Sequence, residues 1–220
     1  MCDPYMQIEQ TLKYTRRCLE VIARQGFGVS ILTKSDLILR DLDLLKKINE
    51  QTRCVVQMTL TTYDETLCKM IEPNVCSTRR RFETLQILRS NGIPTVVWFT
   101  PLLPFINDTA ENVRGILSYC QEAGVYGVIC FGIGVTLREG DREYFYEALD
   151  KHFPGIKNKY IKTFGYAYEC PSPNNDVLMS LFHKECKKSG LISDIGKIFE
   201  FISRFDREPP PQQLSLFDDL

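Results

Sequence analysis

A lysine and several hydroxyl side chains stand where they could bind a small polar ligand. Lys34 follows the apolar run VSILT, and Thr59 and Thr61 come after a second apolar run, CVVQM. A lysine ammonium binds a carboxylate or phosphate as a point charge, and threonine hydroxyls both donate and accept hydrogen bonds. If these groups share one rim, they would suit a zwitterionic or phosphorylated small molecule. Strand packing would also explain the threonines, and a solvated loop would explain the lysine.

The elements that must position these residues alternate between strand and helix. Strands are predicted to begin near residues 29, 55, 95 and 126, and each is a continuous apolar run of the kind buried on both faces of a sheet. Helices are predicted over residues 8–25, 36–50, 77–91 and 109–123. This alternation indicates an α/β fold with a parallel sheet, either doubly wound or part of a (β/α) barrel. Ligands bind at the carboxyl ends of such strands, where Lys34 and Thr59 fall.

The composition argues against several classes of protein. The 220 residues carry a formal net charge of −1, so bulk positive charge does not hold the chain on nucleic acid or anionic lipid. No run approaches the roughly 18–20 apolar residues of a membrane span, and the cytoplasm is the expected location. Nine cysteines occur, but no two have a CxxC or CxxxC spacing, which excludes a local metal knuckle. We expect cysteines such as Cys18, Cys120 and Cys130 to be small buried hydrophobic residues.

Six segments along the chain, in one register, resemble the radical SAM family related to spore photoproduct lyase. They are residues 3–9, 32–36, 59–62, 71–73, 101–108 and 136–138. The resemblance implies a partial (β/α) barrel of TIM type that binds S-adenosylmethionine and a four-iron four-sulfur (4Fe-4S) cluster. Reductive cleavage of S-adenosylmethionine would then give a 5′-deoxyadenosyl radical. In the lyases of this family, that radical abstracts hydrogen from a DNA photolesion.

The resemblance also implies roles for particular residues. Lys34 would meet the carboxylate of S-adenosylmethionine, and Thr59 would replace a serine near its polar groups. Cys2 and Asp3 align with a Ser-Asp pair that contacts the cofactor. The expected cofactor-binding residues are Asp3, Tyr5, Lys34, Thr59 and Thr61. Cys2 is the candidate for a catalytic hydrogen donor, although the lyases place their donor cysteine just before the Ser-Asp pair.

The sequence departs from the family pattern at the cluster. The family holds its cluster with a CxxxCxxC loop upstream of the segment that matches Asp3, and this sequence contains no CxxxCxxC. The chain therefore resembles the carboxyl-terminal part of a longer radical SAM lyase, and is expected to be inactive alone because it lacks the cluster ligands. Two alternatives remain open: a cluster-less module that binds S-adenosylmethionine or DNA without redox activity, and an inactive remnant.

Three regions are expected along the chain. Residues 1–140 would form the partial barrel, residues 141–206 a helical extension of the same domain, and residues 207–220 a disordered tail after a run of three prolines. A short motif in the tail consists of Gln213, Leu214, Leu216 and Phe217. It resembles the peptide by which bacterial repair and replication proteins bind the DNA sliding clamp, although the tail could instead fold back on its own domain.

A run of three arginines is a candidate for contact with DNA. Arg79, Arg80 and Arg81 lie in the first turn of the helix predicted over residues 77–91, where cations oppose the helix dipole. Helix stability therefore does not explain their position. They would either contact DNA phosphates or form a solvated basic face.

Overall fold

Four parallel strands form the main sheet of the computed structural model, which describes residues 3–205. They are β1 (Val29–Thr33), β2 (Cys54–Thr59), β3 (Thr95–Trp98) and β4 (Gly127–Ile129). The strand order in the sheet is β1-β2-β3-β4, the same as the order in the sequence. Each crossover therefore adds the next strand to the same edge of the growing sheet. A doubly wound sheet would reverse its strand order at one point. The observed order therefore confirms the predicted α/β class and is that of a partial (β/α) barrel.

The two faces of the sheet pack against different helices. The segments around the strands contain α2 (Tyr14–Arg24), α3 (Leu42–Gln51), α4 (Glu65–Ile71), α5 (Thr78–Ser90) and α6 (Ala110–Ala123). Buried strand residues such as Val56 and Val97 pack against these connecting elements. Val55 and Val96 point to the opposite face, since successive strand side chains alternate. On that face they pack against α10 (Ile195–Ser203).

The first predicted helix is two helices in the structure. A short helix, α1 (Glu9–Leu12), precedes α2, and Lys13 takes a left-handed conformation between them, with φ of 54°. The Glu9 carboxylate accepts hydrogen bonds from the backbone N–H groups of Tyr14 and Thr15, at 3.2 and 3.0 Å. It thereby satisfies two of the amide groups that a helix start leaves without a partner.

The second predicted helix also begins differently. The chain first forms a 3-10 helix (Asp36–Asp41) and only then continues as α3. Asp41 stands at the junction with its side chain fully buried, and it pairs with Arg40 at 2.8 Å and Arg16 at 3.1 Å. These two ion pairs fix the junction where sequence periodicity predicted a continuous helix.

Helices and a small second sheet follow β4. The helices are α7 (Asp141–His152), α8 (Ile156–Phe164), α9 (Asn175–Ser189) and α10. Strand β5 (Gly134–Thr136) pairs antiparallel with β6 (Glu169–Pro171), within the region that the sequence predicted to be helical. A Cβ atom at Gly134 would lie 2.7 Å from the carbonyl oxygen of Cys170, so this pairing requires glycine. Within residues 3–205, no helix is long and apolar enough to cross a membrane.

Candidate functional site

Hydrogen bonds of the Asp3 carboxylate connect the amino-terminal segment to the carboxyl end of β1. One carboxylate oxygen accepts hydrogen bonds from the Tyr5 backbone N–H at 2.8 Å and the Thr33 hydroxyl at 2.6 Å. The other accepts from the Lys34 backbone N–H at 2.7 Å. The structure thus brings Asp3 and Lys34 together, as the resemblance implied. However, the Asp3 carboxylate binds groups of the protein itself, and so it positions Lys34.

Lys34 belongs to a three-residue ion network with Glu72 and Arg81. The Lys34 ammonium lies 2.5 Å from one Glu72 carboxylate oxygen, and the Arg81 guanidinium lies 2.6 Å from the other. The Arg81 side chain is fully buried and that of Glu72 is 11% exposed, whereas that of Lys34 is 33% exposed. Two cations and one carboxylate leave a net charge of +1. The Asp3 carboxylate beside the Lys34 backbone balances that charge, so what the network offers a ligand is the partly exposed Lys34 ammonium itself.

Arg81 connects this network to the end of β2. Its guanidinium donates hydrogen bonds to the carbonyl oxygens of Thr59 at 2.8 Å and Cys76 at 2.9 Å, in addition to its pair with Glu72. This burial corrects the expectation that Arg81 contacts DNA, because no part of its side chain is accessible. Sequence analysis gave Arg81 the wrong role and Glu72 none, although Glu72 lies within one of the six resembling segments.

The other two arginines of the run remain at the surface. Arg80 donates to the Asp36 carboxylate at 2.7 Å, and both arginines pair with Glu83 at 3.4 Å. The Arg79 guanidinium also lies 5.1 Å from the centre of the Phe82 ring. Both side chains are exposed, so contact with a phosphate backbone remains open to Arg79 and Arg80.

Glu72 stays ionised despite its burial. Burial alone would raise the pKa of its carboxyl group, but Arg81 and then Lys34 lower it, and the net pKa lies below the ordinary value. A buried carboxylate keeps its charge in this way only when cations contact it. At neutral pH the network is thus a carboxylate held between two cations.

The predicted cofactor residues Tyr5, Thr59 and Thr61 are less accessible than Lys34. Tyr5 is 2% exposed, and its ring packs in the core between α2 and α3 with the Arg40 guanidinium 5.9 Å from its centre. The Tyr5 ring is thus closed to a ligand, whereas the residue also borders an open cavity, and direct contact of Tyr5 with the cofactor stays a prediction. Thr59 and Thr61 do lie at the carboxyl edge of β2, but both are largely buried.

Two asparagines that sequence analysis did not single out hold the loop after β2. Asn107 donates to the Thr61 carbonyl at 3.2 Å and to the Thr62 hydroxyl at 3.0 Å. Asn112 donates to the same Thr61 carbonyl at 2.8 Å. Because Asn107 and Asn112 follow β3, they tie the ends of two neighbouring strands together. The sequence did contain one signal for these two asparagines, because both lie after an apolar run that was predicted to be a strand.

Two open cavities flank these strand ends. One, of about 780 Å³, lies between the amino-terminal segment, the 3-10 helix and the loop after α4, and its polar lining includes Asp3, Ser35, Asp36, Arg40 and Cys76. The other, of about 500 Å³, lies beyond β3 and β4 and includes Thr100, Phe131, Gly132, Thr136 and Asn175. Ser35 and Pro73, the chain neighbours of Lys34 and Glu72, line the first cavity, whereas the three residues of the network do not.

The described residues do not supply ligands for an iron–sulfur cluster. Between residues 3 and 205, no three His, Cys, Asp or Glu side chains lie close enough to hold a metal ion. Burial raises the pKa of Cys54 to about 12 and, with the Gly132 backbone opposing, that of Cys130 to about 11, so both remain thiols. Cys18 is exposed, contrary to expectation. Cys2, the candidate hydrogen donor, lies outside the described residues.

Comparison with known proteins identifies relatives in bacteria, archaea and a virus. A protein of Mycobacterium tuberculosis (strain H37Rv) is 28% identical over 176 residues, which cover 80% of this chain and 51% of that protein. A protein of Methanocaldococcus jannaschii is 39% identical over 106 residues, which cover 48% of this chain and 39% of that protein. The chain thus spans about half the length of the mycobacterial relative.

Two solved structures show a partial likeness to this chain. TsrM of Kitasatospora setae, a radical S-adenosylmethionine methyltransferase solved with cobalamin and a [4Fe-4S] cluster, gives a TM-score of 0.46 at 17% identity and covers 59% of this chain and 26% of TsrM. SuiB of Streptococcus suis, solved with S-adenosylmethionine, gives 0.41 at 13% identity and covers 61% of this chain and 31% of SuiB.

A family profile also matches the amino-terminal half of the chain. The profile described as the Radical SAM superfamily matches residues 2–117, which is more than half of the chain. This stretch contains β1 to β3 and the whole Lys34–Glu72–Arg81 network. By this match, the chain belongs to the radical SAM superfamily.

Proposed function

We propose that this chain is the S-adenosylmethionine-binding part of a radical SAM protein similar to spore photoproduct lyase. In the complete protein, a 4Fe-4S cluster would supply the electron for reductive cleavage of S-adenosylmethionine, and the radical would act on a DNA lesion. The order of the six resembling segments and membership of the superfamily support this proposal. Because the described residues hold no cluster ligands, we assign them the binding of S-adenosylmethionine and no electron-transfer step.

The observation that carries the proposal is the partly exposed Lys34 ammonium at the carboxyl edge of β1 and β2. An ammonium has three N–H donors, and Lys34 uses one of them on Glu72. The remaining donors of a one-third exposed side chain can bind the carboxylate of S-adenosylmethionine. Asp3 fixes the Lys34 backbone, and Arg81 fixes the end of β2 beside it.

The proposed partners are DNA and the bacterial sliding clamp. Arg79 and Arg80 are exposed near the amino end of α5, and helices that follow parallel strands begin at the same edge of the sheet as the strand ends. DNA phosphates could therefore approach them near the Lys34 network. The clamp would bind the tail motif, which lies outside the described residues. Both partners fit a protein of the cytoplasm that acts on DNA.

Calorimetric titration with S-adenosylmethionine tests the binding part of the proposal. Lys34→Ala should weaken binding roughly tenfold to a hundredfold, because a hydrogen bond to a charged group contributes about 1.5–3 kcal/mol. Lys47→Ala is the matched control, since Lys47 is exposed on α3 and lies outside the network. Equal affinity in Lys34→Ala and wild type would contradict the site assignment, and no binding by wild type would contradict the proposed function.

A second candidate is a module that binds S-adenosylmethionine without redox chemistry. It is kept beside the first because the 220 residues, tested on their own, contain no CxxxCxxC motif. Anaerobic reconstitution of the complete protein with iron and sulfide, followed by electron paramagnetic resonance, separates the candidates, because residues 3–205 hold no cluster ligands by themselves. A cluster signal would support the radical enzyme, whereas binding of S-adenosylmethionine without any cluster signal would support the cluster-less module.

A further inference from the structure

Lys34 already holds a carboxylate of its own protein, that of Glu72, where the proposed function places the carboxylate of a ligand. We infer that Glu72 is an internal counter-ion that occupies Lys34 in the free protein and limits the affinity of this site for the carboxylate group of a ligand. The inference rests on the proposed function, and it assigns Glu72 the role of a residue that sets affinity.

The two cations of the network differ in their freedom to leave Glu72. Arg81 has no accessible surface, and it is anchored to the carbonyl oxygens of Thr59 and Cys76 as well as to Glu72. Lys34 is one-third exposed and carries its charge on a flexible four-carbon stem. Only Lys34 can therefore turn towards a ligand.

Arg81 makes this exchange possible. When Lys34 turns away, Glu72 keeps its 2.6 Å contact with the Arg81 guanidinium, so no buried charge is left without a partner. The ion pair with Arg81 also helps to keep the pKa of Glu72 below the ordinary value, against the effect of burial. Glu72 thus remains negative, close to the position where the ligand carboxylate must bind.

Two carboxylates beside one ammonium compete for it and repel each other. Glu72→Gln separates these effects from folding. The amide oxygen of glutamine can still accept a hydrogen bond from Arg81, while its NH₂ group faces Lys34 and accepts nothing from it. The variant therefore releases Lys34, removes one negative charge and leaves Arg81 with a partner.

The test is calorimetric titration of two ligands that differ in one group, S-adenosylmethionine and decarboxylated S-adenosylmethionine. Glu72→Gln should tighten binding of S-adenosylmethionine about fivefold to tenfold, whereas it should not tighten binding of the decarboxylated compound, which is a cation without a carboxylate. Glu83→Gln is the charge-matched control, because Glu83 is an exposed partner of Arg79 and Arg80. It should change neither affinity.

A loss of packing at Glu72 would not make the affinity gain depend on whether the ligand has a carboxylate. A purely structural role for Glu72 therefore does not predict tighter binding of S-adenosylmethionine alone. The inference is overturned if Glu72→Gln leaves the affinity for S-adenosylmethionine unchanged or lowers it, or if both ligands tighten equally. Adding Lys34→Met to Glu72→Gln should cancel the gain, and a retained gain would also overturn the inference. Absence of S-adenosylmethionine binding in wild type and variant alike would overturn the proposed function together with it.

Discussion

Arg81 should contribute more to stability than either of its neighbours in the arginine run. Arg81→Met removes a fully buried guanidinium and keeps a long unbranched side chain in its place. The substitution deletes hydrogen bonds to the carbonyl oxygens of Thr59 and Cys76 and the ion pair with Glu72. Breaking a buried pair costs about 3–5 kcal/mol, and the remaining contact of Glu72 with Lys34 favours the lower part of that range.

Urea denaturation measures this difference directly. Trp98 lies in β3 at the centre of the sheet and is the only tryptophan of the chain, so its fluorescence reports unfolding. Arg80→Met is the control, because exposed ion pairs contribute less than about 1 kcal/mol. A loss of about 3 kcal/mol is a large part of the roughly 5–15 kcal/mol that stabilises a domain. If Arg81→Met lost no more than Arg80→Met, the reasoning about the buried network would be refuted.

Two further predictions concern acid stability and the tail. Arg81 and Lys34 lower the pKa of Glu72 against the effect of burial. The ionised Glu72 carboxylate therefore contributes its full stabilisation above the ordinary carboxyl pKa of about 4.3. That stabilisation is lost as the pH falls through the lower pKa of the folded state. Urea midpoints should therefore fall on acidification below about pH 5, and Glu72→Gln should flatten that dependence; an unchanged profile would argue against it. A peptide with the tail sequence should bind a bacterial sliding clamp in fluorescence anisotropy, and Phe217→Ala should abolish binding because the ring fills an apolar pocket. Equal binding by both peptides would disprove that role.

The strands were predictable because their sequences carry one unambiguous signal. Each of the four begins within a residue or two of its expected position, and β2, β3 and β4 are buried on both faces, as continuous apolar runs predict, whereas β1 exposes Ser30. The helix over residues 8–25 was predicted less well, because its stripe of apolar residues continues across Lys13. The break depends on Glu9, whose carboxylate reaches the amide groups of the next helix, and such a contact is invisible to periodicity.

The error at Arg81 had a signal against it in the sequence. Arg81 lies four residues before Leu85 and seven before Leu88, both of which are buried, so all three belong to one face of α5. Position in the first turn predicted an unfavourable dipole interaction for all three arginines, but helical spacing distinguishes Arg81 from Arg79 and Arg80. The partner Glu72 lies nine residues away in sequence, beyond any helical spacing, and only the folded loop brings them together.

The network explains why a buried ion pair could serve a binding site. A hydrophobic pair at this position would pack the end of β2 equally well, since buried salt bridges add little net stability. Glu72 and Arg81 instead present a fixed carboxylate to the one mobile cation of the network. An arriving carboxylate then replaces another carboxylate on Lys34, so the lysine has a partner both before and after binding. The desolvation of its ammonium is thereby completed largely during folding, and the ligand is recognised by its extra contacts and its charge.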